Sequence, residues 1–361
     1  MGPSAASLLS QVHDEGAGPL DVSGLCVLVT GAGVGGFAAA DALAERGAEV
    51  ILIDADSERD STAEHDARAE RLRLLEVLGV EVRTGAQWVS DLPSEPIDLV
   101  VTSPPWRPDE PVLAQAASRQ IPIWGEAELA WRLRPAGAPP WLTLCGVPRA
   151  RQAARLAAAM LRAGGLAADH VGLPATPVIE TVLNRARFDV VVAELSSQEL
   201  HWSSSISPLA SVCLAASTAD SAGVAWHGSV ADYHGALGTV YERTQIACVY
   251  SVEDTLSEAL VREADVIEGA RAIGCTLGTP APSMLGVVDD VLADRAFVPE
   301  RQHSAAELAT IADVLALGPA AAQQLPDLVV AVLSAAALAR AAGVAPAAVR
   351  AGLQSLAGTL S

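Results

Sequence analysis

The chain has 361 residues, 51% of them hydrophobic but only 4% aromatic, so its core must be built mainly from Ala, Val and Leu. A net charge of -20 and the lack of any basic stripe exclude nucleic acid and anionic membrane surfaces as partners. All 23 basic side chains are arginine, which excludes every chemistry that requires a lysine.

The length predicts two or three domains. Five widely spaced cysteines (Cys26, Cys145, Cys213, Cys248, Cys275), with no CxxC pair, predict free thiols in a reducing cytoplasm. No basic stretch followed by an apolar run opens the chain, so no signal peptide is read. The apolar tract Leu328–Val344, interrupted by Arg340, reads as a core helix and not a membrane span.

Residues 1–23 form a polar lead-in. Leu25–Thr30 is an apolar strand running into Gly31-Ala-Gly33-Val34-Gly35-Gly36. Helical periodicity over Phe37–Arg46 ends at Gly47 as its C-cap, and Glu49–Asp54 is the next strand. Further strands are predicted at Val80–Arg83, Leu99–Thr102 and Ile121–Trp124, each after a helical stretch. That alternation implies a parallel sheet covered on both faces, a Rossmann-like domain over 24–134. The Pro/Gly stretch 135–140 is the linker, and 141–361 is a second α/β domain. There the strand at Trp141 turns at Gly146 into an alanine-rich helix. Strands follow at Val190–Glu194, Ser211–Leu214 and Ala247–Tyr250, and helices at Asp327–Arg340 and Pro346–Leu356 close the chain.

Gly31-x-Gly33-x-x-Gly36, with Asp54 ending the next strand, has the spacing of a dinucleotide-binding turn. Its glycines serve either close approach of a phosphate or sugar, or close packing of helix on strand. The second turn, Cys145-Gly146-Val-Pro-Arg149-Ala150-Arg151, has the frame of a phosphate-binding loop. It lacks the Lys for terminal phosphates and the Ser/Thr for magnesium. Glu194 ends a buried strand, where a carboxylate suits a magnesium ion or simply meets solvent. Arg149, Arg151 and Arg155 read as a solvated helix face or as a residual anion site built from arginine forks. His227 and Tyr233 lie in a polar-aromatic loop with Ser229 as a helix N-cap.

In this order the motifs, together with Ser103-Pro104 and Gly125-Glu126-Ala-Glu128-Leu129, resemble the MurD family of peptidoglycan ligases over residues 24–358. The resemblance implies a UDP-binding Rossmann-like domain, a central ATPase domain and a third domain for the incoming amino acid. Glu194, Ser196, Ser197, His227 and Tyr233 match the family pattern, and Pro105 replaces the glycine after its Ser-Pro. Ala150 falls at the loop Lys and Arg151 at the magnesium-binding Thr. Leu237 falls at the carbamylated Lys, and Asp327-Leu328 at a His-Asn pair of the base region. Gly172–Ala175 lacks the family's Asn, as does Ala215, and the stretch around Asp220 lacks its His. The chain reaches Ser361 where the third domain would begin, so that domain is expected to be absent.

The expectation is a MurD-derived cytoplasmic pseudoenzyme. It would bind a UDP-MurNAc-type sugar through Gly33, Val34, Gly35, Gly36, Asp54, Ser103 and Ser196, and neither ATP nor magnesium. Gly146, Arg149, Ala150 and Arg151 would be a remnant of the ATP loop, and Glu194 a vestigial metal ligand. Another cell-wall protein, or a second copy of the chain, is the expected macromolecular partner. The alternatives are ligase activity completed by a partner subunit, and a nicotinamide-dependent Rossmann oxidoreductase.

Overall fold

The computed structural model describes residues 9, 11–12, 18–55, 62–146, 148–172, 176–183, 188–214, 216 and 220–359. Within them the chain forms two compact units. The first comprises 1–138, 172–185 and 198–206; the second comprises 139–171, 186–197 and 207–361. The division after Ala138 lies inside the Pro/Gly stretch. Two segments that sequence reading assigns to the second domain pack with the first unit.

The first unit alternates strand and helix: β1 (Cys26–Thr30), α1 (Val34–Ala44), β2 (Glu49–Asp54), α2 (Thr62–Val77), β3 (Glu81–Thr84), β4 (Leu99–Thr102), α3 (Pro111–Ser118), β5 (Ile123–Gly125) and α4 (Glu126–Leu133). The strands form a parallel sheet in the order β3-β2-β1-β4-β5. Both faces are covered, so β1 and β4 are continuous apolar runs and not alternating ones. β1 sits between β2 and β4, so the chain leaves it in opposite directions and a crevice opens at its carboxyl end. Helix α1 starts at Val34, directly on the glycine turn, and Gly47 follows it in the left-handed conformation.

The second unit contains β6 (Trp141–Cys145), α5 (Arg149–Ala163), β7 (Ala168–Val171) and β8 (Val190–Glu194). The short helices α6 (Val178–Leu183) and α7 (Ser197–His201) fall in the connections on either side of β8. Next come β9 (Ala210–Cys213), α8 (Ser221–His227), α9 (Val230–Gly238), β10 (Ala247–Ser251) and α10 (Thr255–Glu263). The closing elements are β11 (Arg271–Cys275), β12 (Met284–Val288), β13 (Val291–Asp294), β14 (Ala306–Thr310), α11 (Ile311–Leu315), α12 (Leu325–Ala341) and α13 (Pro346–Gln354). The sheet runs β14-β13-β12-β11-β10-β9-β6-β8-β7, parallel except where β12, β13 and β14 meet.

Strand β6 again lies at the reversal, between β8 and β9. The alanine side of α5 and nearly all of α12 are buried against this sheet. Small side chains there replace the missing aromatics. Among the described residues no helix is long and apolar enough to cross a membrane.

Candidate functional site

Each unit presents one glycine turn at the carboxyl end of its reversal strand. In the first, the Gly31 N–H donates to the Ile53 carbonyl at 2.8 Å, and the Phe37 N–H closes the first helical bond to Gly33 at 2.9 Å. A Cβ on Gly36 would run into the Gly31 carbonyl, so this position serves helix-on-strand packing. A Cβ on Gly33 would meet no heavy atom within 4 Å, so the turn is open there. The N–H groups of Val34, Gly35 and Gly36 open α1, where no preceding helical carbonyl exists to take them.

Asp54 sits beside this turn, half-buried. Its carboxylate accepts from the Ala32 N–H at 2.6 Å and from Arg68 Nε at 3.0 Å, with Arg68 Nη2 at 2.5 Å from its other oxygen. Arg71 Nε donates to the Ala32 carbonyl at 3.0 Å. Asp54 therefore shapes the turn from within through three contacts. The buried Ser103 hydroxyl donates to the Thr30 carbonyl at 2.8 Å, and the Thr30 and Thr102 hydroxyls meet at 2.8 Å. Both serine and threonines stitch β1 to β4.

The second turn has the same frame and a different filling. Gly146 has φ +101°, and a Cβ there would strike the Leu214 carbonyl oxygen, so only glycine fits. The Ala150 N–H donates to the Gly146 carbonyl at 2.9 Å, and its methyl is wholly buried. Arg149 Nη2 pairs with Asp327 Oδ2 at 2.6 Å. Arg151 Nε donates to Glu194 Oε2 at 3.2 Å, and His170 Nε2 lies 2.9 Å from the same oxygen. Burial pushes the Glu194 carboxyl up. The contacts with His170 and Arg151 outweigh it and hold the group below its ordinary range.

Around this turn Leu237 and Leu328 are buried in apolar surroundings. Asp220 caps α8, accepting from the Ala222 and Gly223 N–H groups at 3.1 and 3.0 Å. Ser229 caps α9 through the Asp232 N–H at 3.1 Å. The rings of His227 and Tyr233 lie 5.7 Å apart, and burial, with the Asp220 charge second, pushes the Tyr233 phenol up to about 12. Ser196 and Ser197 follow Glu194 at the strand end, with Ser197 opening α7. Ala215 and positions 173–175 of the Gly172–Ala175 stretch lie outside the described residues.

Sequence reading assigned no role to three groups that the structure brings forward. His170 joins Glu194 from β7, a strand with no apolar run to announce it. Glu126 and Glu128 form the buried first turn of α4. Glu126 accepts the Ile179 N–H at 2.6 Å. Burial first, and the nearby Glu199 second, push its carboxyl up to about 8. Glu128 accepts the Ser204 and Ser205 N–H groups at 2.9 and 3.0 Å and the Arg132 guanidinium at 2.7 Å. The available signal was acidic residues in a first helical turn, which favour that location but do not reveal burial.

Two α/β units, each with a glycine turn at its sheet reversal, define the Mur ligase fold. It is shared with a murein peptide ligase from Psychrobacter arcticus (TM-score 0.50, 12% identity, 93% of this chain and 69% of that one). It is shared as well with a UDP-N-acetylmuramate:L-alanyl-gamma-D-glutamyl-meso-diaminopimelate ligase from Neisseria meningitides (TM-score 0.52, 14% identity, 92% and 98%). No family model matches the chain.

The curated UDP-N-acetylmuramoylalanine–D-glutamate ligase of Streptomyces avermitilis is 43% identical over 330 residues, 91% of this chain and 66% of the relative. That of Streptomyces coelicolor is 42% identical over 346 residues (93% and 68%), and that of Thermobifida fusca 41% over 340 residues (93% and 68%). The chain belongs to the UDP-N-acetylmuramoylalanine–D-glutamate ligase (MurD) family, and it spans about two thirds of the length of these relatives.

Proposed function

We propose that this chain is a cytoplasmic MurD-family protein of peptidoglycan biosynthesis that binds and does not ligate. Its ligand is a uridine nucleotide-sugar at the first glycine turn, and its macromolecular partner is an active cell-wall enzyme or a second copy of the chain. One observation carries the reading: the charged groups at the second turn are spent on each other. Glu194 is held by Arg151 and His170, and Arg149 is held by Asp327.

Magnesium-ATP does not fit these donors. A phosphate loop needs an ammonium for the terminal phosphates and a hydroxyl for the metal, and here stand a buried methyl and a guanidinium. Among the described residues no group of three or more His, Cys, Asp or Glu side chains is arranged to hold a metal ion. Removing one charge-stabilising group typically costs about 10²–10³ in rate, so losing several leaves little catalysis.

The first turn supports binding through different features. It is open at Gly33, and its frame is fixed by Asp54 without using the first-turn N–H groups of α1. Calorimetric titration of the protein with UDP-MurNAc-L-Ala, ATP and NAD tests the reading. Heat with the first ligand alone is expected. Saturable heat with ATP would restore the ligase reading, and with NAD the oxidoreductase one.

A further inference from the structure

The outward side of α5 next to the second turn carries a feature that the turn itself does not explain. A cavity of about 230 Å³ opens there, lined by Arg151, Gln152 and Arg155 together with Leu156, Leu317 and Leu356. Arg151 and Arg155 are spaced i, i+4 on one helix, a like-charge arrangement that costs stability unless an anion offsets it. The molecule has 43 acidic residues to offer, yet among the described residues no carboxylate pairs with Arg155. Among the described residues Arg151 uses only Nε, on Glu194, and neither terminal nitrogen has an acceptor. Leu156 and Leu317 are buried, so the cavity reaches the apolar core.

We propose that this cavity is a binding site for a small organic anion, one phosphate or carboxylate headgroup on a short apolar body. The headgroup takes the fork geometry of the two guanidiniums. The body lies against the three leucines, and the volume limits it to about the size of a single ring or a short alkyl chain. In a chain of net charge -20, two adjacent cations are a local exception that selects anions at short range. The inference does not depend on the uridine nucleotide reading, because it concerns the second unit alone.

Titration calorimetry on the whole protein, with phenyl phosphate, phenylacetate, phenol and inorganic phosphate as probes, tests it. At least one of the two ring-bearing anions is expected to bind, and the preferred one identifies the headgroup. Phenol and inorganic phosphate are expected to bind at least about tenfold more weakly, each lacking half of the recognition. Arg155→Ala, at an exposed position that leaves folding intact, is expected to weaken binding about tenfold. Arg262→Ala, an exposed charge on α10, controls for net charge and is expected to change nothing. Three results would overturn the proposal: no ring-bearing anion binding at millimolar concentration, full affinity retained in Arg155→Ala, or equal loss in both variants.

Discussion

The two glycine turns share a backbone and differ in what surrounds it. Both follow a parallel strand at a sheet reversal and lead into a helix, and both need glycine for close approach, at Gly36 and Gly146. The first is open at Gly33, and the carboxylate described beside it, Asp54, is turned inward to the Ala32 N–H and Arg68. The second is closed on itself by Arg149–Asp327 and by Arg151 and His170 on Glu194. The buried carboxylates differ likewise: Glu126 of the first unit is kept neutral, while Glu194 of the second is kept ionised. Packing holds each turn independently of the polar groups beside it.

The largest expected effect breaks the shared part of the comparison. Gly146→Val places a side chain at positive φ and into the Leu214 carbonyl, and should cost about 3 kcal/mol or more in chemical denaturation. Gly33→Val, in open space, should change stability by less than about 0.5 kcal/mol yet abolish uridine-nucleotide binding. Equal destabilisation by the two would erase the distinction between a packed glycine and an open one.

The next effects separate the two carboxylates by pH. Glu126 titrates near 8 when folded and near 4.5 when unfolded, so its contribution is full below pH 4.5 and is lost as pH rises through 8. Stability should therefore fall by roughly 1 kcal/mol per pH unit across that window, with Glu180 and Glu199 adding to the repulsion once Glu126 ionises. Glu126→Gln should flatten the slope. Glu194 has the opposite sign: its folded value is depressed, so its contribution is present above the unfolded value and lost as pH falls. Glu194→Gln should cost about 1–3 kcal/mol at neutral pH and less in acid. Parallel pH profiles for the two variants would contradict the assignment.

The reach of the sequence follows the same line. Strands β1, β2, β4, β6 and β8 were legible because burial on both faces makes them nearly continuous apolar runs, all but β4 ended by a glycine or a carboxylate. The run β11 to β14 was not, since its strands are only partly buried and alternate in direction after β12. Gly33, Gly36, Asp54, Gly146 and Glu194 stood out by their place at strand ends. Their pairing did not, because Arg151, His170 and Glu194 meet from three separate segments that only the sheet order brings together. Glu126 was legible only as part of a motif, with no role of its own, and its burial depends on the packing of α6 and α7.

The smallest effect concerns Arg151 itself. Its side chain is 57% exposed, so Arg151→Ala should cost no more than about 1 kcal/mol in thermal unfolding. A larger loss would mean that the pair with Glu194 holds the second unit together and does not merely occupy the turn.

We propose that the second turn does not serve ATP, and phosphate release with magnesium and ATP, measured beside a binding titration under the same conditions, tests this most directly. Release no greater than the protein-free blank, and no saturation at micromolar ATP, are expected. Micromolar affinity, or release above the blank that disappears in Gly146→Val, would contradict it.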